Sequence, residues 1–228
     1  MSEELRNALQ RYFNPTWVEH LGWENARFIV LDSETTGFDE RSDRLVSIGA
    51  VSVYNYEVFL DDAFDVLMPI AFNTSAVTVH GITREASEER GEEEPVAIER
   101  FLHFLRDGII VGHHIRFDLR MIGAAVRRHF GDDLELRNLV VDTMDLTLWL
   151  EEVGALPREQ GERPDYSLDG LCRRFNIAPH DRHTAMGDAF LTAQIFLVLL
   201  RRAKKAGLTR LGDLTHSWVP PEERGEKR

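Results

Sequence analysis

The sequence predicts an α/β protein, a mixed sheet with helices on its faces, and three observations carry that expectation. Three strand signals come first, at 27–32, 45–53 and about 63–68. Two short apolar strands follow, at 109–112 and 139–141, and these alternate with helical stretches. The helical stretches repeat their apolar residues every three or four positions, as Leu119, Ile122, Val126 and Phe130 do. Strands first and strand–helix alternation afterwards describe five strands in a mixed sheet.

Taken in order, residues 2–13 read as a helix, followed by a connector whose Trp17 and Trp23 are expected to anchor it to the domain. Phe28-Ile29-Val30-Leu31 is a continuous apolar run, hence a short buried strand. Asp61-Asp62 is the expected hairpin turn ahead of the third strand. Helices are expected at 95–106, 117–129, 143–151, 167–175 and 185–205. The acidic run Glu85 to Glu94 reads as a solvated loop and helix start. Residues 153–165 are rich in Gly, Pro and charge and read as a loop, and 219–228 read as disordered. No internal repeat and no Gly/Ser-rich or Pro-rich linker divides the middle.

The first apolar run ends in Asp32-Ser33-Glu34-Thr35-Thr36-Gly37. Strand side chains alternate, so Asp32 and Glu34 share a face if the strand continues through them. Adjacent carboxylates resist ionising together unless a cation joins them, and two oxygen donors suit a hard divalent ion. Two further acids open helices: Asp118, after His113-His114-Ile115-Arg116-Phe117, and Asp188, after His183-Thr184-Ala185-Met186-Gly187. Either acid alone is explained by the positive end of a helix dipole. Together with Asp32, Glu34 and a His five residues before the last Asp, they read as a metal site.

This set resembles the DEDDh, DnaQ-like 3'-5' exonucleases, the superfamily of the proofreading subunit of bacterial DNA polymerase III. Asp32-Ser33-Glu34, His113 to Asp118 and His183 to Asp188 stand in the family's order, with Val79-His80-Gly81-Ile82-Thr83 and Val141-Asp142-Thr143 as further matches from about Arg27 to Leu200. One departure is His114, where the family commonly has Asn. The resemblance implies a ribonuclease H-like fold, a five-stranded sheet with its first three strands antiparallel and helices on both faces. It implies two divalent cations, Mg2+ or Mn2+, bound by Asp32, Glu34, Asp118 and Asp188, with His183 as general base. It also implies contacts from Val79 and His80 to the terminal nucleotide and from Thr35 to the 3' end. The organisation expected is an N-terminal helical extension (1–25), an exonuclease domain (26–206) and a C-terminal tail (207–228).

Composition fits an enzyme with its own core: 43% of the 228 residues are hydrophobic. The single cysteine, Cys172, excludes an intramolecular disulfide and reads as a small core residue in a reducing compartment. Acids at Glu3 and Glu4 stand where a signal peptide needs a basic region, and no apolar run is long enough to span a bilayer. The expectation is a cytoplasmic protein. A formal net charge of -12 argues against a general nucleic-acid coat protein. Gripping one strand end needs few phosphate contacts, and nearly all the basic residues are Arg, which suits bidentate phosphate binding.

The function expected is removal of nucleoside 5'-monophosphates from the 3' end of DNA, single-stranded by expectation, in proofreading or repair, with a DNA polymerase as a possible partner. Two alternatives stay open: an exoribonuclease of the same superfamily, and an inactive module that docks a partner. No residue advertises recognition of a 2'-hydroxyl.

Overall fold

A computed structural model describes residues 20–215 apart from 132–133, 135 and 160–163. The expected helix at 2–13, Trp17 and the expected disorder at 219–228 lie outside the described residues. Five strands form one sheet: β1 (Phe28–Thr35), β2 (Leu45–Tyr54), β3 (Glu57–Leu67), β4 (Ile109–Gly112) and β5 (Val140–Asp142). Their spatial order is β3-β2-β1-β4-β5. The first three pair antiparallel, whereas β4 lies parallel to β1 and β5 parallel to β4.

Eight α-helices are described, and the longer ones match the predicted segments within a residue or two. They are α1 (Val77–His80), α2 (Arg84–Arg90), α3 (Glu94–Leu105), α4 (Arg116–Phe130), α5 (Thr143–Glu152), α6 (Leu168–Arg174), α7 (Ala185–Lys205) and α8 (Leu211–Leu214). Alternation along β1 explains why its apolar run is unbroken. Phe28 and Val30 enter the core shared with α5, α6 and α7, while Ile29 and Leu31 enter the core under α3 and α4. Both faces of the strand are therefore dry. Cys172 is a buried member of the first core, as expected.

Two expectations need correction. The β2–β3 turn is Asn55-Tyr56, whose φ values of 49° and 63° are those of a two-residue hairpin turn. Asp61-Asp62 sits instead in a bulge within β3, where the ladder steps from Val51–Ala63 to Ser52–Phe59. Asp62 is useful there because Arg27 reaches it at 3.0 Å. The acidic run from Glu85 is not a loop either, since α2 occupies most of it, capped by the Thr83 hydroxyl, which accepts from Ala86 N. Trp23 is an anchor, 1% exposed, with Nε1 donating to the Leu208 carbonyl at 3.0 Å. Its burial leaves no face for stacking on a base. Among the described residues no helix is long and apolar enough to cross a membrane.

Candidate active site

Strand β1 does continue through its acids. Asp32 and Glu34 therefore project on the face of Phe28 and Val30, the face that α7 covers. Helix α7 brings Asp188 in its first turn, and its start is fixed by Thr184, whose hydroxyl accepts from Gly187 N at 3.1 Å. Close approach of helix and sheet depends on Gly49, the β2 partner of Asp32. A Cβ at Gly49 would lie 2.2 Å from the Met186 backbone nitrogen. With no side chain in the way, carboxylate oxygens of Asp32, Glu34 and Asp188 come within 4.8 Å of one another.

Asp118 arrives from the opposite face of the sheet. Buried in the first turn of α4, it accepts from Ser33 twice at Oδ1, from the backbone nitrogen at 3.0 Å and the hydroxyl at 2.6 Å. It is not one of the three acids that converge most closely, but its charge acts on both Asp32 and Glu34. The turn into α4 is held by Asp142 at the end of β5. Its carboxylate accepts from His114 N at 3.3 Å, Ile115 N at 3.0 Å and Met144 N at 2.9 Å. His114 has a left-handed backbone, φ 56°, a conformation for which Asn and His are both enriched. The departure from Asn is thus accommodated. Its neighbour His113 is held by Thr143, whose Oγ1 lies 3.0 Å from Nδ1.

Burial and mutual repulsion leave Asp32, Glu34 and Asp118 unusually basic. Burial pushes Asp32 well above the ordinary carboxylate range, with Asp118, Asp188 and Glu34 adding to it. Glu34 is raised to about 7, again by burial first and then by Asp188 and Asp118. Asp118 is raised to about 6 by burial, against the opposing hydrogen bonds from Ser33. Clustered oxygen donors whose negative charge is costly fit a hard divalent cation, which would offset that cost.

The other expected residues are placed less directly. His183 is exposed, left-handed at φ 64°, and not among the converging groups. Arg182 takes up the contact with Asp188 instead. Thr35 is buried and its hydroxyl donates to the Gly37 carbonyl at 2.8 Å. Val79 is exposed. His80 lies on the single turn α1, which Gly81, at φ 71°, ends directly after it, and His80 is buried. Its Nδ1 accepts from Ile82 N at 3.0 Å, which puts the ring proton on Nε2, a buried atom with no partner. The segment carrying it is tied to the first motif through Thr74, whose hydroxyl donates to the Thr36 carbonyl at 2.8 Å.

Sequence reasoning missed Gly49, Arg182, and the clamping roles of Ser33 and Asp142. A Gly inside an otherwise apolar strand is the one signal that marked a close backbone approach.

Comparison with known proteins decides the family. The family model described as an exonuclease, RNase_T, matches residues 29–196. The chain belongs to this exonuclease family. It is 34% identical over 195 residues to the DNA polymerase III PolC-type of Thermotoga petrophila, covering 84% of this chain and 13% of that protein. It is also 34% identical over 192 residues to a DNA polymerase III subunit epsilon-like protein of Rhodobacter capsulatus, covering 81% of this chain and 25% of that one. This exonuclease-family chain thus spans no more than a quarter of these relatives' length. In three dimensions it is similar to E. coli exonuclease I in complex with a dT13 oligonucleotide. That match has a TM-score of 0.70 and 21% identity, covering 80% of this chain and 43% of the other. The shared fold is the ribonuclease H-like α/β architecture.

Proposed function

We propose that this chain is a metal-dependent 3'-5' exonuclease that removes nucleoside 5'-monophosphates from single-stranded DNA in the cytoplasm. The convergence of Asp32, Glu34 and Asp188 at one strand end carries this reading. All four family acids are present, which disfavours an inactive docking module. Two Mg2+ or Mn2+ ions held there would polarise the scissile phosphate and stabilise the charge on attacking and leaving oxygens. Asp32, Glu34 and Asp188 would hold one ion and Asp118 would hold the other. His183 would accept the proton of the attacking water once its loop turns inward. His80 offers its unpartnered Nε2 proton to the terminal nucleotide. Val79 packs on that nucleotide and Thr35 meets the 3' end. A DNA polymerase is the partner, or the host chain, that the polymerase-named relatives suggest.

The test is degradation of matched 5'-labelled single-stranded DNA and RNA with Mg2+, with and without chelator. Progressive shortening of DNA, blocked by chelator and by circularisation, is the expected result. Faster loss of RNA would assign an exoribonuclease, and cutting of circles would assign an endonuclease.

A further inference from the structure

Arg182 lies between two carboxylates, one of them in the site. Its Nε donates to Asp169 Oδ1 of α6 at 2.6 Å, and Nη2 reaches Oδ2 at 3.4 Å. The remaining arm, Nη1, forms an ion pair with Asp188 Oδ1. Among the described groups, Arg182 is the cation that counters the repulsion acting on both Asp32 and Glu34. The next residue is the exposed, left-handed His183, and the one after it is Thr184, the cap of α7.

We propose that Arg182 is a positioning residue: it holds Asp188 as an internal counter-cation, is exchanged for a divalent ion, and its release lets His183 turn toward the site. The proposal rests on the metal-dependent reading above. A divalent ion bound directly to an oxygen of Asp188 would repel a guanidinium held at the same place, so the two cations compete. Asp169 gives Arg182 somewhere to go. Its side chain is 47% exposed and already holds two arms of the guanidinium, so the exchange breaks one ion pair and keeps the other. The task needs the planar fork of Arg, which spans two carboxylates at once; a Lys ammonium is a point charge and would favour one of them. Because His183 directly follows Arg182 in the chain, movement of the guanidinium pulls on the backbone that orients the imidazole.

Mn2+ binding to the whole chain, measured by calorimetry, tests the exchange. Arg182→Met should bind Mn2+ roughly tenfold more tightly than the wild type. Simple repulsion at a distance predicts that too, so Arg182→Lys is decisive. It keeps the charge, and under exchange it still binds Mn2+ more tightly than the wild type. Asp169→Asn should weaken binding by pushing Arg182 fully onto Asp188, and in the Arg182→Met background that effect should shrink to less than about twofold. By NMR, Mg2+ should move the His183 ring signals of the wild type, with a smaller change in Arg182→Met. Wild-type affinity in Arg182→Lys, or additive effects of the Asp169 and Arg182 substitutions, would overturn the exchange and leave the nuclease reading intact. A wild type that binds no Mn2+ would overturn both.

Discussion

Ser33 and Asp118 are joined twice, through the Ser33 backbone nitrogen at 3.0 Å and its hydroxyl at 2.6 Å, both donating to the same carboxylate oxygen. Ser33 points away from its neighbours Asp32 and Glu34, so this pair clamps α4 to the reverse face of the strand that bears the other acids. Removing the hydroxyl in Ser33→Ala leaves a buried carboxylate with one donor fewer. The expected cost is about 1.5–3 kcal/mol in urea unfolding, the usual worth of a hydrogen bond to a charged group. The metal-dependent rate should fall with it. Unchanged stability would show that the clamp holds nothing.

Glu34 links protonation to stability in the absence of metal. Its proton is held up to about 7 in the fold against an ordinary 4.5, so the folded state binds more protons between those values. Its contribution therefore becomes more unfavourable as pH rises through that window. His113, pushed down to about 4 by burial, acts in the opposite direction, so a variant comparison is needed to isolate Glu34. In chelator, Glu34→Gln should gain roughly 2–6 °C in Tm over wild type at pH 8 and much less at pH 5. With saturating Mg2+ that advantage should disappear. An equal gain at both pH values would contradict the raised proton affinity.

Gly49 decides how near α7 comes to β1. Ala at this position would put a methyl group 2.2 Å from the Met186 nitrogen, a backbone atom that cannot simply rotate away. Gly49→Ala should destabilise the fold by about 1–3 kcal/mol, as overpacking does. Displacing Asp188 from Asp32 should also weaken Mn2+ binding by roughly tenfold or more. Wild-type metal affinity in this variant would mean that the three acids do not need this spacing.

His80 is expected to bind substrate and not metal. His80→Ala should raise KM for a single-stranded oligonucleotide by roughly tenfold, the worth of about one hydrogen bond. Mn2+ affinity measured by calorimetry should stay as in the wild type. If the change falls on kcat alone, with KM untouched, the terminal-nucleotide role is wrong.

His183→Ala should lower kcat by about 10²–10⁴-fold, the range of positioned proton transfer. Metal affinity should change far less than in Asp32→Ala or Asp188→Ala. A variant that keeps its rate would remove His183 from the chemistry and leave the acids in place.

The elements that could be read in the sequence were those with an internal period. Strands β1, β2, β4 and β5 and helices α3 to α7 announce themselves because burial on one or both faces demands apolar residues at fixed intervals. The acids were legible for a related reason: Asp32 and Glu34 share a face by strand geometry, and the family motifs supplied Asp118 and Asp188. The β2–β3 turn was misplaced because Asp61-Asp62 has turn chemistry and Asn55-Tyr56 is less obvious. Only the pairing of the two strands reveals that the acidic pair fills a bulge. Helix α1 is a single turn, too short to have a period, and the burial of His80 depends on what packs around it.

By itself the sequence determined the mixed α/β class and the strands and helices with a hydrophobic repeat, because these are written in local spacing, and its motifs carried the family resemblance and the four acids. Tertiary structure alone decided that Ser33 clamps Asp118, that Gly49 lets α7 reach Asp32, and that Arg182 rather than His183 touches Asp188. These are contacts between residues 85, 137 and 6 positions apart, from Ser33 to Asp118, Gly49 to Met186 and Arg182 to Asp188. In the first two, chain separation hides the contact. In the third, the left-handed backbone at His183 turns the imidazole outward and leaves the guanidinium on the acid, a choice of conformation that no spacing records.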